Sequence, residues 1–236
     1  PYKINAYDLQ NSSDDSSTGN LKWTATVTEE NLGHANISDI EGMALDDRCK
    51  YLLFRSSERT IIYDGETGAY TATLPLAFGD DNYAENGRIY TVREDGIYSA
   101  DLYTGSIKKL YSGNICVKAA YCDNAGASRR INNEVHFFSG KGIKLMRGIL
   151  SLDSETLRFE EIQPSQAKYS SSYTVIGIGA DGKACIGQDG KSAVYIFENS
   201  GNEEICLSGW ETGDGHDILP AYKNDGTFDY VVTMYN

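Results

Sequence analysis

The chain has 236 residues, enough for one domain that buries roughly 70–75% of its unfolded surface. Its hydrophobic fraction is 40%, and 34 acidic against 21 basic residues leave a net charge of −13, which argues against nucleic acid and anionic membrane as partners. No apolar run of about 18 residues is present to span a bilayer, and the 5 cysteines (Cys49, Cys116, Cys122, Cys185, Cys206) have no CxxC spacing and predict neither a zinc site nor a full disulfide framework.

In chain order, Pro1 opens the sequence without methionine or a charged-then-apolar leader. This predicts an exported product whose signal has been removed; a cytoplasmic protein is the alternative. Strands follow at Tyr2–Asp8 and Leu21–Thr28, joined across a polar insert at Gln10–Ser17 that closes at Thr18-Gly19. The run Ser38–Leu45 opens a second unit, which contains the turn Tyr63-Asp64-Gly65-Glu66-Thr67-Gly68. Phe78–Ala84 opens a third, whose hairpins pass through Ala100-Asp101-Leu102-Tyr103-Thr104-Gly105. Val117–Tyr121 opens a fourth, with the corresponding turn expected at Leu152-Asp153-Ser154-Glu155-Thr156-Leu157. Thr174–Ile178 opens a fifth, with a looser turn at Phe197-Glu198-Asn199-Ser200-Gly201, and the chain ends on Asp217–Tyr222 and Tyr230–Tyr235.

Each turn has a mechanism. The Asp side chain accepts a hydrogen bond from the backbone two residues on, and Gly takes the positive φ that closes a hairpin. Measured from Asp8, the acidic residues recur after 56, 37, 52 and 45 residues, the period of a repeat architecture. Four short strands per unit, with no amphipathic helix between them, predict an all-β, five-bladed β-propeller of four-stranded antiparallel blades. The expected blades are 38–75, 77–113, 117–163, 173–208, and 216–236 together with 1–29, so that both termini share one blade of a single domain. A piece of a longer propeller, cut at equivalent hairpins, is the competing reading.

The x-D-x-x-T-G hairpins resemble those of PQQ-like and YVTN-type propellers, although four of the five copies lack the tryptophan that follows the turn in PQQ-like repeats. Gly213-Asp214-Gly215-His216-Asp217 with Asn224-Asp225-Gly226-Thr227-Phe228-Asp229-Tyr230 is similar to segments of propeller-bearing lipoproteins of Gram-positive gut anaerobes, some of the solute-binding type. That resemblance implies an extracellular or cell-surface location.

In such a fold the D-x-x-T-G turns occupy one edge of the sheets, and function is expected on the other. The loops expected there include Arg93–Asp95, Gly113–Cys116, Ser139–Arg147 and Ser208–His216. The candidate ligand-binding residues are Trp210 for stacking, Asp39, Asp81, Asp217 and His216 for polar contacts, and Tyr169 and Arg93 at the rim. Trp23 is read as a packing residue. Gly177-Ile178-Gly179-Ala180-Asp181-Gly182 matches GxGxxG, but a strand follows it rather than a helix, so it is expected to be a hairpin turn. No catalytic motif, metal site or cofactor is signalled. The expected function is a non-catalytic module binding a carbohydrate, peptide or protein. The alternatives are a glycoside hydrolase using Asp39, Asp81 and Asp217, and a structural spacer.

Overall fold

The computed structural model describes residues 2–8, 20–32, 40–45, 50–56, 59–78, 82–116, 128–141, 144–165, 172–188, 192–210 and 218–233. Within them the chain is all-β apart from a single turn of helix, α1 (Glu29–Leu32). A two-stranded sheet of β1 (Tyr2–Asp8) and β2 (Asn20–Val27) comes first. Four four-stranded sheets follow: β3 (Ile40–Leu45), β4 (Tyr51–Ser56), β5 (Thr60–Asp64) and β6 (Tyr70–Leu74); β7 (Asn82–Glu85), β8 (Arg88–Arg93), β9 (Gly96–Asp101) and β10 (Ile107–Ser112); β11 (Ser128–Ile131), β12 (Glu134–Lys141), β13 (Lys144–Ser151) and β14 (Leu157–Ile162); β15 (Tyr173–Ile178), β16 (Ala184–Gln188), β17 (Ser192–Phe197) and β18 (Glu203–Trp210). The last pair, β19 (Ile218–Tyr222) and β20 (Phe228–Thr233), forms a second two-stranded sheet. In every sheet the strand order is the chain order, so each is a meander.

The residues fall into two compact units, Pro1–Tyr90 with Ser99–Lys108, and Thr91–Tyr98 with Lys109–Asn236. In the first, β4 divides its side chains by the period of two that a strand imposes. Leu52 and Phe54 join Ala25, Val27, Ile61 and Tyr63 in one core, while Tyr51 and Leu53 join Ile62, Leu74, Phe78 and Ile89 in another. The second unit repeats the device on β17. Tyr195 and Phe197 face a core with Phe138, Leu145 and Ile186, and Val194 and Ile196 face one with Ile176, Cys185 and Phe228. Strands covered on both faces read as continuous apolar runs, which is why Thr60-Ile61-Ile62-Tyr63 and Ala193-Val194-Tyr195-Ile196-Phe197 lack alternation. Each such buried side chain contributes about 1.5–3 kcal/mol of transfer free energy.

Neighbouring sheets dock by a repeated contact within each unit. Trp23 of β2 lies against the turn after β5, its Nε1 donating to the Gly65 carbonyl at 3.1 Å. A Cβ on Gly68 would stand 2.5 Å from Trp23 Cε3; one on Gly105 would stand 3.3 Å from Ala72 of β6, and one on Gly201 would stand 3.6 Å from Ile162 of β14. Gly68, Gly105 and Gly201 thus each receive the last strand of the preceding sheet. Trp23 is a packing residue, as its place in the strand implied.

Two turns are built as the sequence predicts. Asp64 Oδ1 accepts from the amides of Glu66 (3.0 Å) and Thr67 (2.8 Å) and from the Thr67 hydroxyl (2.8 Å). Asp101 Oδ1 does the same with Tyr103 (3.0 Å), Thr104 (2.7 Å) and the Thr104 hydroxyl (3.0 Å). These bonds hold both carboxyls below the usual carboxylate range. The third turn departs from expectation by two residues. The amides of Asp64, Asp101 and Ser151 each donate to the carbonyl five residues on, at 2.8, 2.9 and 2.9 Å. Ser151, not Asp153, therefore holds the aspartate's place. Ser154 donates to Ser151 Oγ at 3.0 Å, and Glu155 takes the positive φ of 51° that Gly68 and Gly105 take elsewhere. The turn at Glu198 is one residue shorter, its amide donating to the Asn202 carbonyl at 2.9 Å.

Further expectations are corrected. The first strand of the third four-stranded sheet is β11, a polar run, whereas Val117–Tyr121 lies outside the described residues. Ser139–Arg147 is not a loop: β12 and β13 run to Lys141 and from Lys144 as a hairpin. Cys116 and Cys185 are buried and not disulfide-bonded, in line with the absence of a disulfide framework. The GxGxxG segment, by contrast, is the hairpin turn expected, with Gly179 donating to the Lys183 carbonyl at 2.8 Å between β15 and β16.

Candidate functional site

The Glu94–Asp95 turn joins Arg93, the last residue of β8, to Gly96, the first of β9. Beside it an open depression of about 570 Å³ is lined by Arg93, Glu94, Asp95, Ser112, Gly113 and Asn114. Two chain segments supply these residues, the β8–β9 turn and the connection leaving β10. Backbone bonds tie the segments together: Gly113 donates to the Asp95 carbonyl at 3.3 Å and Ile115 to the Glu94 carbonyl at 2.9 Å.

The same connection is anchored on β12. Asn114 Nδ2 donates to the Gly140 carbonyl at 3.1 Å, Ser139 Oγ donates to the Asn114 carbonyl at 2.6 Å, and the Tyr111 hydroxyl lies 3.0 Å from Ser139 Oγ. Tyr111 is held in turn by Phe159, their ring centroids 4.9 Å apart. The floor of the depression is thus positioned by backbone ladders and aromatic packing rather than by long exposed side chains.

Its charges are partly spoken for. The Asp95 carboxylate accepts from the Tyr98 hydroxyl and from Lys109 Nζ at 3.0 Å, and Lys109 stands 4.9 Å over the Tyr98 ring. These contacts, the tyrosine's first, hold Asp95 below the ordinary carboxylate range. What the depression presents is a guanidinium, a carboxylate pair, a hydroxyl and an amide within one small area. Such a set matches hydrogen-bonding ligands with mixed donors and acceptors.

Of the residues singled out from sequence, Arg93 is brought into this depression as the last residue of β8. Trp210 ends β18, its backbone opposite Ser192. Asp39, Asp81, Tyr169, His216 and Asp217 lie outside the described residues, so the proposed carboxylate set of a hydrolase does too. Sequence reasoning singled out neither Asn114 nor Ser112 as a site residue. The signal for Asn114 was its place in the 113–116 connection, whereas Ser112 reads as a strand residue. Among the described residues no group of three or more His, Cys, Asp or Glu is placed to hold a metal ion, and no helix is long and apolar enough to cross a membrane.

No protein-family model and no curated protein matches the chain. Solved structures do. The WD40 domain of SCAP from fission yeast matches at 10% identity and a TM-score of 0.46, over 88% of this chain and 53% of that one. Kluyveromyces lactis Hsv2 matches at 15% identity and 0.45, over 79% and 62%. The extracellular domain of a one-component system, BT4673, from B. thetaiotaomicron matches at 13% identity and 0.46, over 84% and 28%. The chain therefore spans less than two thirds of each. Similarity at this level concerns the path of the chain and carries neither ligand nor partner across.

Proposed function

We propose that the chain is a five-bladed β-propeller domain serving as a non-catalytic binding module of an exported or surface protein. The observation that carries the binding role is the depression at Arg93, Glu94, Asp95, Ser112, Gly113 and Asn114. The Asp-turns spend their acceptors internally, as at Asp64 and Asp101, and so suit architecture rather than recognition.

The propeller reading is supported by four consecutive meanders, by the outer-strand-to-turn docking, and by contacts among β11, β15 and β19, the first strands of their sheets. Arg129 of β11 donates to the Ile178 carbonyl of β15 at 2.9 Å, and the turn after β15 meets the turn after β19 through Ala180 and the Gly226 carbonyl at 2.8 Å. On this reading β19 and β20 form the inner half, and β1 and β2 the outer half, of a fifth blade. Closing the ring would remove two open sheet edges.

The ligand is a carbohydrate, peptide or protein surface meeting the depression and the neighbouring loops. Arg93 and Asn114 supply polar contacts and Trp210 an aromatic anchor, with Asp39, Asp81, Tyr169, His216 and Asp217 as further contacts. A glycan array and a displayed-peptide library, each probed with wild type, Arg93→Ala and Trp210→Ala, test the reading. Binding weakened at least about tenfold by either substitution supports it, a buried polar contact being worth 1.5–3 kcal/mol. A wild type that binds nothing on either, or variants that bind as well as wild type, would remove it.

A further inference from the structure

Arg147, on β13, is completely buried. Its hydrogen-bond partners among the described residues are not carboxylates, although the charges of Glu160, opposite it on β14, and of Glu134 act on it. Nη1 donates to the carbonyls of Asn199 (2.7 Å) and Glu198 (3.4 Å) in the β17–β18 turn, Nη2 lies 2.8 Å from His136 Nδ1, and Nε has no partner. A guanidinium only donates, so His136 Nδ1 accepts and the imidazole is the neutral Nε2–H form. That Nε2 lies 3.4 Å from Glu134 Oε2, without the alignment of a hydrogen bond.

We propose that this contact between the β11–β14 sheet and the β15–β18 sheet is an acid-operated joint, in which Arg147 clamps the β17–β18 turn only while the Nδ1 lone pair of His136 is free. A second proton on the ring must go to Nδ1. It would set an N–H against Arg147 Nη2, where two cationic donors face each other in a buried place.

Glu134 offsets that extra charge only in part, since burial and Arg147 outweigh it. Cross-strand register puts Arg129 of β11, Arg147 of β13 and Arg158 and Glu160 of β14 on the face that carries His136. Glu134 of β12 is already held by Arg158, at 2.7 and 3.3 Å, which keeps it ionised and engaged. Arg129 donates to Ile178, the Glu198 carboxylate accepts from the Ser200 hydroxyl at 3.2 Å, and Asp181 accepts from the amides of Lys183 and Phe228. Burial first, and then Arg147, push the histidine down to about 4, in the direction the geometry requires.

Amide hydrogen exchange at Glu198 and Gly201 tests the joint, with Gly105, whose amide donates to the Asp101 carbonyl at 2.9 Å, as the internal control. Between about pH 7 and about pH 4.5, after correction for intrinsic rates, protection of the β17–β18 turn should fall at least about tenfold relative to Gly105, as protonation of one group shifts an equilibrium tenfold per pH unit. His136→Asn keeps an acceptor near the Nδ1 position but cannot be protonated, and should abolish the fall. Turn protection that follows Gly105 throughout, or falls equally in His136→Asn, overturns the proposal. Should that variant not fold, nitrogen shifts of the wild-type His136 ring decide: Nδ1 unprotonated at neutral pH, with a titration midpoint matching that of exchange, supports the joint, and a mismatch overturns it.

Discussion

Trp23 occupies the space that a side chain on Gly68 would need, a Cβ there standing 2.5 Å from its Cε3, while its Nε1 is bonded to Gly65 of the same turn. Gly68 also has a φ of +72°, so two separate penalties await any substitution. Gly68→Ala should cost about 1 kcal/mol for the backbone and about 1–3 kcal/mol for overpacking. In a Trp23→Ala background only the first should remain. A double-mutant cycle by urea denaturation measures the difference, and additive effects would place the indole elsewhere.

The two-residue shift in the third turn makes a prediction that an alignment would reverse. Asp153→Ala should change stability by no more than about 0.5 kcal/mol, whereas Ser151→Ala should cost about 0.5–1.5 kcal/mol, the worth of one hydrogen bond. Asp101→Ala, which strips three bonds from its turn, should cost more than either. Chemical denaturation of the three variants ranks them directly.

Glu155 carries the turn's positive φ of 51° with a side chain, where the equivalent positions carry glycine. Glu155→Gly should therefore stabilise the chain by about 0.5–1 kcal/mol, despite the greater freedom glycine has when unfolded. A lower denaturation midpoint than wild type would contradict this.

Stability should also respond to acid through His136. Its folded value, about 4, is depressed from 6.5, so the unfolded chain takes up the proton first as pH falls. The contribution is therefore complete above about pH 6.5 and is lost progressively down to about pH 4, a total of about 3 kcal/mol. Melting temperature should drop by roughly 6–12 °C across that window, and His136→Asn should flatten the slope. Asp64, Asp101 and Asp225, each held low by its turn bonds, act in a separate window below their ordinary 3.8.

Much of the fold was legible because it rests on local chemistry. Aspartate acceptors, closing glycines and apolar middle strands fall at regular intervals, and β15, β16 and β19 lie within a residue or so of where their patterns put them. The failures have physical causes. Ser128-Arg129-Arg130-Ile131 forms a strand because Asn132 takes a left-handed φ of 54° and turns the chain into β12, not because of its own composition. Arg147 read as a loop residue since a lone buried cation has no sequence signature; its partners, the Asn199 carbonyl and His136, are 52 and 11 residues away. Ser151 replaced an aspartate while a nearby Asp153 imitated it. The Arg93 depression was half visible, since both connections that build it were read as loops, whereas their mutual bonds were not foreseeable from residue type.

The docking of β2, β6 and β14 on the turns that follow has a consequence for how the chain comes together. Trp23 meets Gly68, Ala72 meets Gly105, and Ile162 meets Gly201, so every such contact is made with a partner that emerges later from the ribosome. None needs the chain's far end. These three contacts can therefore form vectorially, each with a short loop closure, and the proposed pairing of the terminal hairpins would come last. Truncation from the C-terminus should leave the earlier docking contacts formed, whereas loss of the N-terminal hairpin would leave the first turn, at Gly68, without its cover.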